Sequence, residues 1–244
     1  MNEHWKNKKV AFLGDSITDK IHVGTARNYW EDLADLCGIV PLVYGLNGNQ
    51  WTGVIPQAEK LLAEHGDEVD AIFVFMGTND YMGSVPIGEW FSVREEETNT
   101  HGVMKKKLRR YFNTGSGTFR GRINAGMSFL KKHFPRQQII LLTPIHRGFS
   151  RFSETNVQPE ESFPNDLGLY AETYVECIKE AGGIWSVPVI DLHADSGLFP
   201  MMDEYVRYFH FADTDRLHPN AEGHRRIAET IRYQIQMYPA DFKN

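Results

Sequence analysis

The sequence predicts an α/β domain built as a three-layer α/β/α sandwich, with a doubly wound parallel sheet of five strands at its centre. Three observations predict it. Short apolar runs alternate along the chain with stretches of helical periodicity, which is the pattern of right-handed βαβ units. Most of these runs are continuously apolar rather than alternating, as strands covered on both faces require. No internal repeat and no linker-like stretch interrupts the 244 residues, so 1–244 reads as one domain, large enough to bury a substantial core.

In chain order, the first strand is expected at 9–13, where Lys-Val-Ala-Phe-Leu runs into Gly14-Asp15-Ser16. A helix is expected near 27–37, then a second strand at 41–44 (Pro-Leu-Val-Tyr) and a second helix near 55–65. The third strand, 70–76, is the most apolar, and the fourth, 138–143, is Gln-Ile-Ile-Leu-Leu-Thr. Helices near 119–133 and 166–182 flank the fourth strand, and the fifth strand is 187–191. The last helix, near 220–237, has the clearest amphipathic spacing, through Ile227, Ala228, Ile231 and Ile235. Pro219 falls where a first-turn proline is tolerated, because its missing N–H would have no intrahelical partner. Two segments exceed a minimal chain of this class: 81–118 after the third strand and 146–165 after the fourth. Both leave the carboxyl edge of the sheet, so both are expected to be long active-site loops.

A formal net charge of -6 opposes nucleic acid as a partner, since phosphate neutralisation needs a basic surface. No stretch reaches the length of a membrane span, so no membrane partner is expected either. The two cysteines, Cys37 and Cys177, make no disulfide framework and read as reduced thiols. The first residues carry basic charge without an apolar run behind it, so the chain as written reads as cytoplasmic, or as periplasmic or secreted if a leader has been removed. Oligomeric state stays open.

Four patches carry chemistry. Gly14-Asp15-Ser16 ends the first strand and leaves a hydroxyl at the edge of the sheet where open α/β folds bind ligands. If a helix comes next, its free N–H groups face the space before Ser16. Tyr44-Gly45-Leu46-Asn47-Gly48-Asn49-Gln50 follows the second strand, and a glycine there lets backbone approach a ligand closely. Gly77-Thr78-Asn79-Asp80 ends the third strand and offers the Asn79 amide as a donor. Asp215-Arg216-Leu217-His218 sets a carboxylate three residues before an imidazole, a spacing that fixes the tautomer of the ring. Each patch alone is also ordinary turn chemistry. Together they supply an acyl-transfer site. Ser16 is the nucleophile, His218 its base and Asp215 the orienter. The Ser16 N–H, the Gly48 N–H and the Asn79 amide are the oxyanion donors. In a sheet ordered 2-1-3-4-5 the first three strands are neighbours, so the loops bearing Ser16, Gly48 and Asn79 converge.

These blocks, in this order, resemble those of the SGNH (GDSL) hydrolase superfamily, with Ser16, Gly48, Asn79 and His218 at the positions of its four named residues. The resemblance spans about residue 9 to 237. It implies a flavodoxin-like fold and a metal-independent esterase or lipase-type reaction with the roles just given. The second block departs from the family, carrying Asn47 and Asn49-Gln50 where many members have small residues.

The substrate expected is a small-molecule ester of a short acyl group, with acetyl groups on carbohydrate as the first choice. A lysophospholipase, thioesterase or acyltransferase would use the same site, and a non-catalytic glycan-binding module is the alternative of another class. Candidate substrate-binding residues are Asp15, Tyr81, His146 and Arg147. The loop aromatics Tyr81, Trp90, Phe91, Tyr111, Phe112, Phe149 and Phe152 are candidates for a sugar or acyl platform, and Gly115-Ser116-Gly117 would let such a lid flex. The basic run 105–110 reads as a solvated face. His210, Asp213, Asp215 and His218 could be taken as metal ligands, but their spacing has no zinc signature. No metal and no cofactor is expected.

Overall fold

The computed structural model describes residues 3–243. The central sheet is formed by β1 (Lys9–Gly14), β2 (Val40–Val43), β3 (Ala71–Phe75), β6 (Gln138–Leu142) and β9 (Val189–Ile190). All neighbours pair in parallel and the order is β2-β1-β3-β6-β9, which is 2-1-3-4-5 when only these five strands are counted. The helices are α1 (Tyr29–Cys37), α2 (Val54–His65), α3 (Thr78–Met82), α4 (Phe119–His133), α5 (Ala171–Trp185), α6 (Leu192–Asp195) and α7 (Ala221–Gln234).

Strand alternation assigns the two faces. Ala11, Leu13, Ile72, Val74, Ile139 and Leu141 pack with Ala58 and Leu61 of α2, Ile123 and Met127 of α4 and Ile178 of α5. Val10, Phe12, Phe73, Phe75, Ile140 and Leu142 pack with Leu33 of α1 and Ile227 and Ile231 of α7. These strands are apolar on both faces because both faces are buried. Helix α5 begins five residues later than the periodicity predicts. Asn165 explains the delay: its Oδ1 accepts the Leu167 and Leu169 N–H groups and holds 165–169 as a turn. No helix among the described residues is long and apolar enough to cross a membrane.

The two extra segments differ from expectation. Residues 91–112 are not irregular: β4 (Phe91–Thr100) and β5 (Val103–Phe112) pair antiparallel over ten residues each. His101 and Gly102 both have positive φ (54° and 81°), as the tight turn that matches strand twist demands. The acidic run of β4 faces the basic run of β5, with Glu96 opposite Lys107 and Glu97 opposite Lys106. The root of this hairpin sits on the helix layer. Phe112 stacks on Trp185 with ring centroids 4.4 Å apart, the Asn124 amide donates to the carbonyls of Trp90 and Asn113, and Trp90 donates to Glu180. Trp185 ends α5 at the amino edge of the sheet, opposite Ser16. The hairpin is therefore an arm on the α4/α5 flank rather than a lid.

Residues 146–165 contain β7 (Ser150–Arg151) and β8 (Val157–Gln158). With β10 (Phe209–Phe211) and β11 (Asp215–Pro219) they make a second, four-stranded sheet ordered β10-β11-β7-β8. Pro219 thus belongs to a strand and not to the first turn of α7. Asn220 caps that helix, its Oδ1 accepting the Glu222 and Gly223 N–H groups.

His224 of α7 is fully buried and stacks on Tyr29. Its Nδ1 accepts the Tyr29 N–H at 3.2 Å, so the ring is neutral there. Burial, aided by the nearby His218 and His22, depresses it to about 3. The folded value lies below the unfolded one, so its contribution is complete above about 6.5 and is lost as pH falls toward 3. Thermal unfolding of His224→Gln against wild type from pH 8 to 4 is expected to show a shallower acid decline in the variant. Parallel curves would contradict this.

Candidate active site

Strand β1 delivers Ser16 to the carboxyl edge of the central sheet. The chain then makes a single helical turn instead of a helix: the Thr18 and Asp19 N–H groups return to Asp15 O at 3.1 and 3.0 Å, and α1 starts only at Tyr29. Gly14 is required at the strand end, because a Cβ there would lie 2.3 Å from Thr18 Oγ1 and 2.9 Å from Phe75 O. Strand β11 brings the other side of the site. Its Asp215 pairs with Ser150 of β7, and the Gly148, Arg216 and Arg151 N–H groups bond to Arg216 O, Phe149 O and Thr214 O. Residues 146–165 thus brace the strand that carries Asp215 and His218.

The three predicted side chains meet. Ser16 Oγ lies 3.0 Å from His218 Nε2, and His218 Nδ1 lies 2.9 Å from Asp215 Oδ2 and 3.2 Å from Oδ1. A carboxylate can only accept, so Nδ1 carries the proton and Nε2 is left to accept from the serine hydroxyl. Asp215 Oδ1 also accepts the His218 and Leu217 N–H groups. Burial alone would raise its pKa. The hydrogen bond and charge of His218, that backbone N–H and His210 outweigh burial and hold the carboxyl below its usual range. Ser16 is 6% exposed and Asp215 and His218 5% each, so the hydrogen-bonded trio lies in a largely desolvated setting.

Gly48 has φ of 76° and open space where a Cβ would stand. Its loop is tied to the serine turn by Leu46 N–H on Gly14 O and Asn47 N–H on an Asp19 carboxylate oxygen. Asn79 Nδ2 donates to Asn49 O at 2.9 Å, while Gln50 Nε2 donates to Asn79 O at 2.9 Å. The second amide hydrogen of Asn79 remains available. Asn49 and Gln50, two of the three departures in the second block, thus hold Asn79 in place. Asp80, fully buried, accepts the Trp51 N–H and Arg122 Nη1 and ties the same loops from below. Burial lifts it to about 6 despite Arg122.

The candidate substrate-binding residues separate. Asp15 is buried beside Ser16, its Oδ1 accepting the Ile17 N–H at 3.1 Å. Tyr81 is packed inside, its hydroxyl donating to Phe163 O at 2.6 Å. Arg147 is also buried. It bonds Thr78 Oγ1 and Gln158 and lies over the Tyr81 ring, and burial lowers it to about 10. His146 pairs with Glu161. Tyr81, His146 and Arg147 therefore organise the loops. Of the loop aromatics, Trp90, Phe91 and Phe112 belong to the hairpin root and Tyr111 lies between Arg94 and Arg109. Phe152 does reach the site, its ring 5.5 Å from His218.

Sequence reasoning missed His210 as a partner of Asp215, with Nδ1 3.1 Å from Oδ2. The antiparallel pairing of β10 with β11 brings them together, and no local spacing announces it. Asp213 lies exposed on the turn between these strands, so the alternative metal cluster is not assembled there.

The GDSL-like lipase/acylhydrolase family model matches residues 12–226. No curated protein matches the chain. Among solved structures, a Lactobacillus plantarum protein superposes with a TM-score of 0.73 at 23% identity over 96% of this chain and 98% of its own. A possible lipase from Chitinophaga pinensis gives 0.69 at 19% over 94% and 98%. An acetylxylan esterase from Geobacillus stearothermophilus gives 0.57 at 18% over 96% of each chain. At these identities the likeness is one of fold.

Burial raises the Asp15 carboxyl to about 7, with the Ile17 N–H and His218 pulling it down and Asp80 pushing it up. Here the folded value exceeds the unfolded one, so the native state holds the extra proton. The associated stability is full below about 4 and drains as pH rises through 7. Asp15→Asn is expected to gain melting temperature relative to wild type between pH 5 and 8. An unchanged difference across that range would contradict it.

Proposed function

Because this chain belongs to the GDSL-like lipase/acylhydrolase family, and is thus an ester-bond hydrolase, we propose that it is a serine esterase for short acyl esters, acetylated carbohydrate first among them. The observation that carries the reading is the relay Ser16–His218–Asp215, with both links at hydrogen-bond distance. In this mechanism Ser16 Oγ attacks the ester carbonyl as His218 Nε2 takes its proton, and Asp215 steadies the imidazolium. The Ser16 N–H, the Gly48 N–H and the free Asn79 amide hydrogen receive the oxyanion. His218 then gives its proton to the departing alcohol, leaving an acyl-serine. Water, deprotonated by the same nitrogen, releases the acid and restores Ser16.

A short acyl preference is supported by the pocket beside the serine turn. Its lining includes Asp15, Ile17, Phe75, Pro144, Ile145 and Leu217, and its free volume of about 10 Å³ is room for about one water and for no long acyl chain. Acetylated sugar leads the substrates because a neighbour of the same fold is an acetylxylan esterase.

Ser16→Ala and His218→Ala are each expected to lower kcat by about 10⁴-fold or more, with Asp215→Ala milder. Asn79→Ala should cost about 10²–10³-fold. Comparable turnover in all four variants would reject these roles. Across p-nitrophenyl esters, kcat/KM should fall from acetate to octanoate. A flat or rising profile would point to a lysophospholipase or thioesterase instead, and no turnover of any ester or acetylated sugar would point to a binding module.

A further inference from the structure

We propose that His146, Glu161 and His193 form a binding site for one divalent transition-metal ion of the zinc class. The three side chains come from separate parts of the chain: the loop after β6, the segment between β8 and α5, and helix α6. Their ligand atoms all lie within 4.8 Å of one another, and the two imidazole centroids are 3.6 Å apart. None belongs to the esterase site, and no proximity in sequence links them.

Pairing between His146 and Glu161 accounts for part of the cluster. His146 Nδ1 bonds Glu161 Oε1, and Glu161 Oε2 accepts the Arg147 N–H at 2.9 Å. That leaves His193. Its Nε2 is shielded from solvent and has no hydrogen-bond partner, a cost that native interiors rarely leave standing. The backbone around it is firmly set, with the His193 N–H on Thr143 Oγ1 at 3.0 Å and Thr143 donating to Asp191. Phe199 packs edge-on against His146 and limits ring rotation. An unpartnered imidazole nitrogen held beside a second imidazole and a buried carboxylate is a set of ligand atoms suited to a cation. Burial, and next the neighbouring His146, hold His193 below the usual imidazole range, so it offers the neutral form that metals bind.

Two nitrogens and one carboxylate oxygen suit zinc and its borderline neighbours, whereas calcium and magnesium take oxygen donors. Bonds of about 2.1 Å put tetrahedral ligands about 3.4 Å apart, so from separations of up to 4.8 Å each pair closes in by at most about 1.4 Å. As it does, the proton between His146 and Glu161 leaves to solvent and water completes the coordination. The ion would tie 146–165, whose β7 braces the Asp215 strand, to α6. It is a staple beside the esterase site, not a participant in the chemistry.

The test uses the full chain, stripped with chelator, then dialysed against zinc at pH 7.5 and assayed for bound metal. One zinc per chain, with a raised melting temperature, is expected for wild type and for the surface control His101→Ala. Binding should weaken by at least about tenfold in His193→Ala and Glu161→Gln. Cobalt titration of wild type should give the visible absorption of a low-coordinate nitrogen–oxygen site, a readout that needs no variant to fold. Substoichiometric metal in wild type, or binding that survives both substitutions, would overturn the proposal. Ester turnover is not the readout, so the outcome is independent of the esterase reading.

Discussion

The hydrogen bond between Ser16 Oγ and His218 Nε2 joins residues 202 positions apart in sequence, and most of the architecture bears on holding it. Strand β1, buried in the middle of a parallel sheet, fixes the serine from one side. On the other side His218 stands on a strand outside that sheet. Strand β11 is only five residues long and would not persist alone. It is held by β10, by the β7 segment of the 146–165 excursion and by the Asn220 cap that starts α7. The main sheet sets where the nucleophile is, and the small sheet sets where the base is. Helix α7, packed against α1 and the central strands, locks the two frames together.

Electrostatics then separate three aspartates of one residue type. Asp15 and Asp80 are buried with limited compensation and rise to about 7 and about 6. Asp215 is nearly as buried but faces two imidazoles and two backbone N–H groups, and it falls below its usual range. Only the third is suited to remain an anion beside an imidazolium. Environments that push like groups apart in this way mark out their roles.

The central sheet was legible because continuous apolar runs as short as Ala71–Phe75 have few uses other than as strands covered on both faces. The motif residues were legible because Ser16 and Asn79 follow closely on the ends of β1 and β3, while Asp215 and His218 lie three residues apart on one strand. The hairpin of β4 and β5 was not legible. Both its faces are solvated beyond the root, with Leu108 75% exposed, so it lacks the period-two hydrophobicity that betrays a strand. The small sheet hid for another reason: β7, β8 and β10 have only two or three residues and leave no periodic signal, and pairing partners such as Ser150 and Asp215 are distant in sequence. His210 on Asp215 was concealed because the β10–β11 pairing that joins them leaves no local signal, and Glu161 and His193 around His146 because separate loops bring them together.

The proposed esterase chemistry requires Ser16 to be an alcohol activated by His218. Reaction of the full chain with a fluorophosphonate, followed by mass mapping of the adduct, tests this most directly. A single adduct on Ser16, formed rapidly in wild type and slowed by orders of magnitude in His218→Ala, is the expected result. An adduct on another residue, or labelling of Ser16 at the same rate without the imidazole, would contradict it.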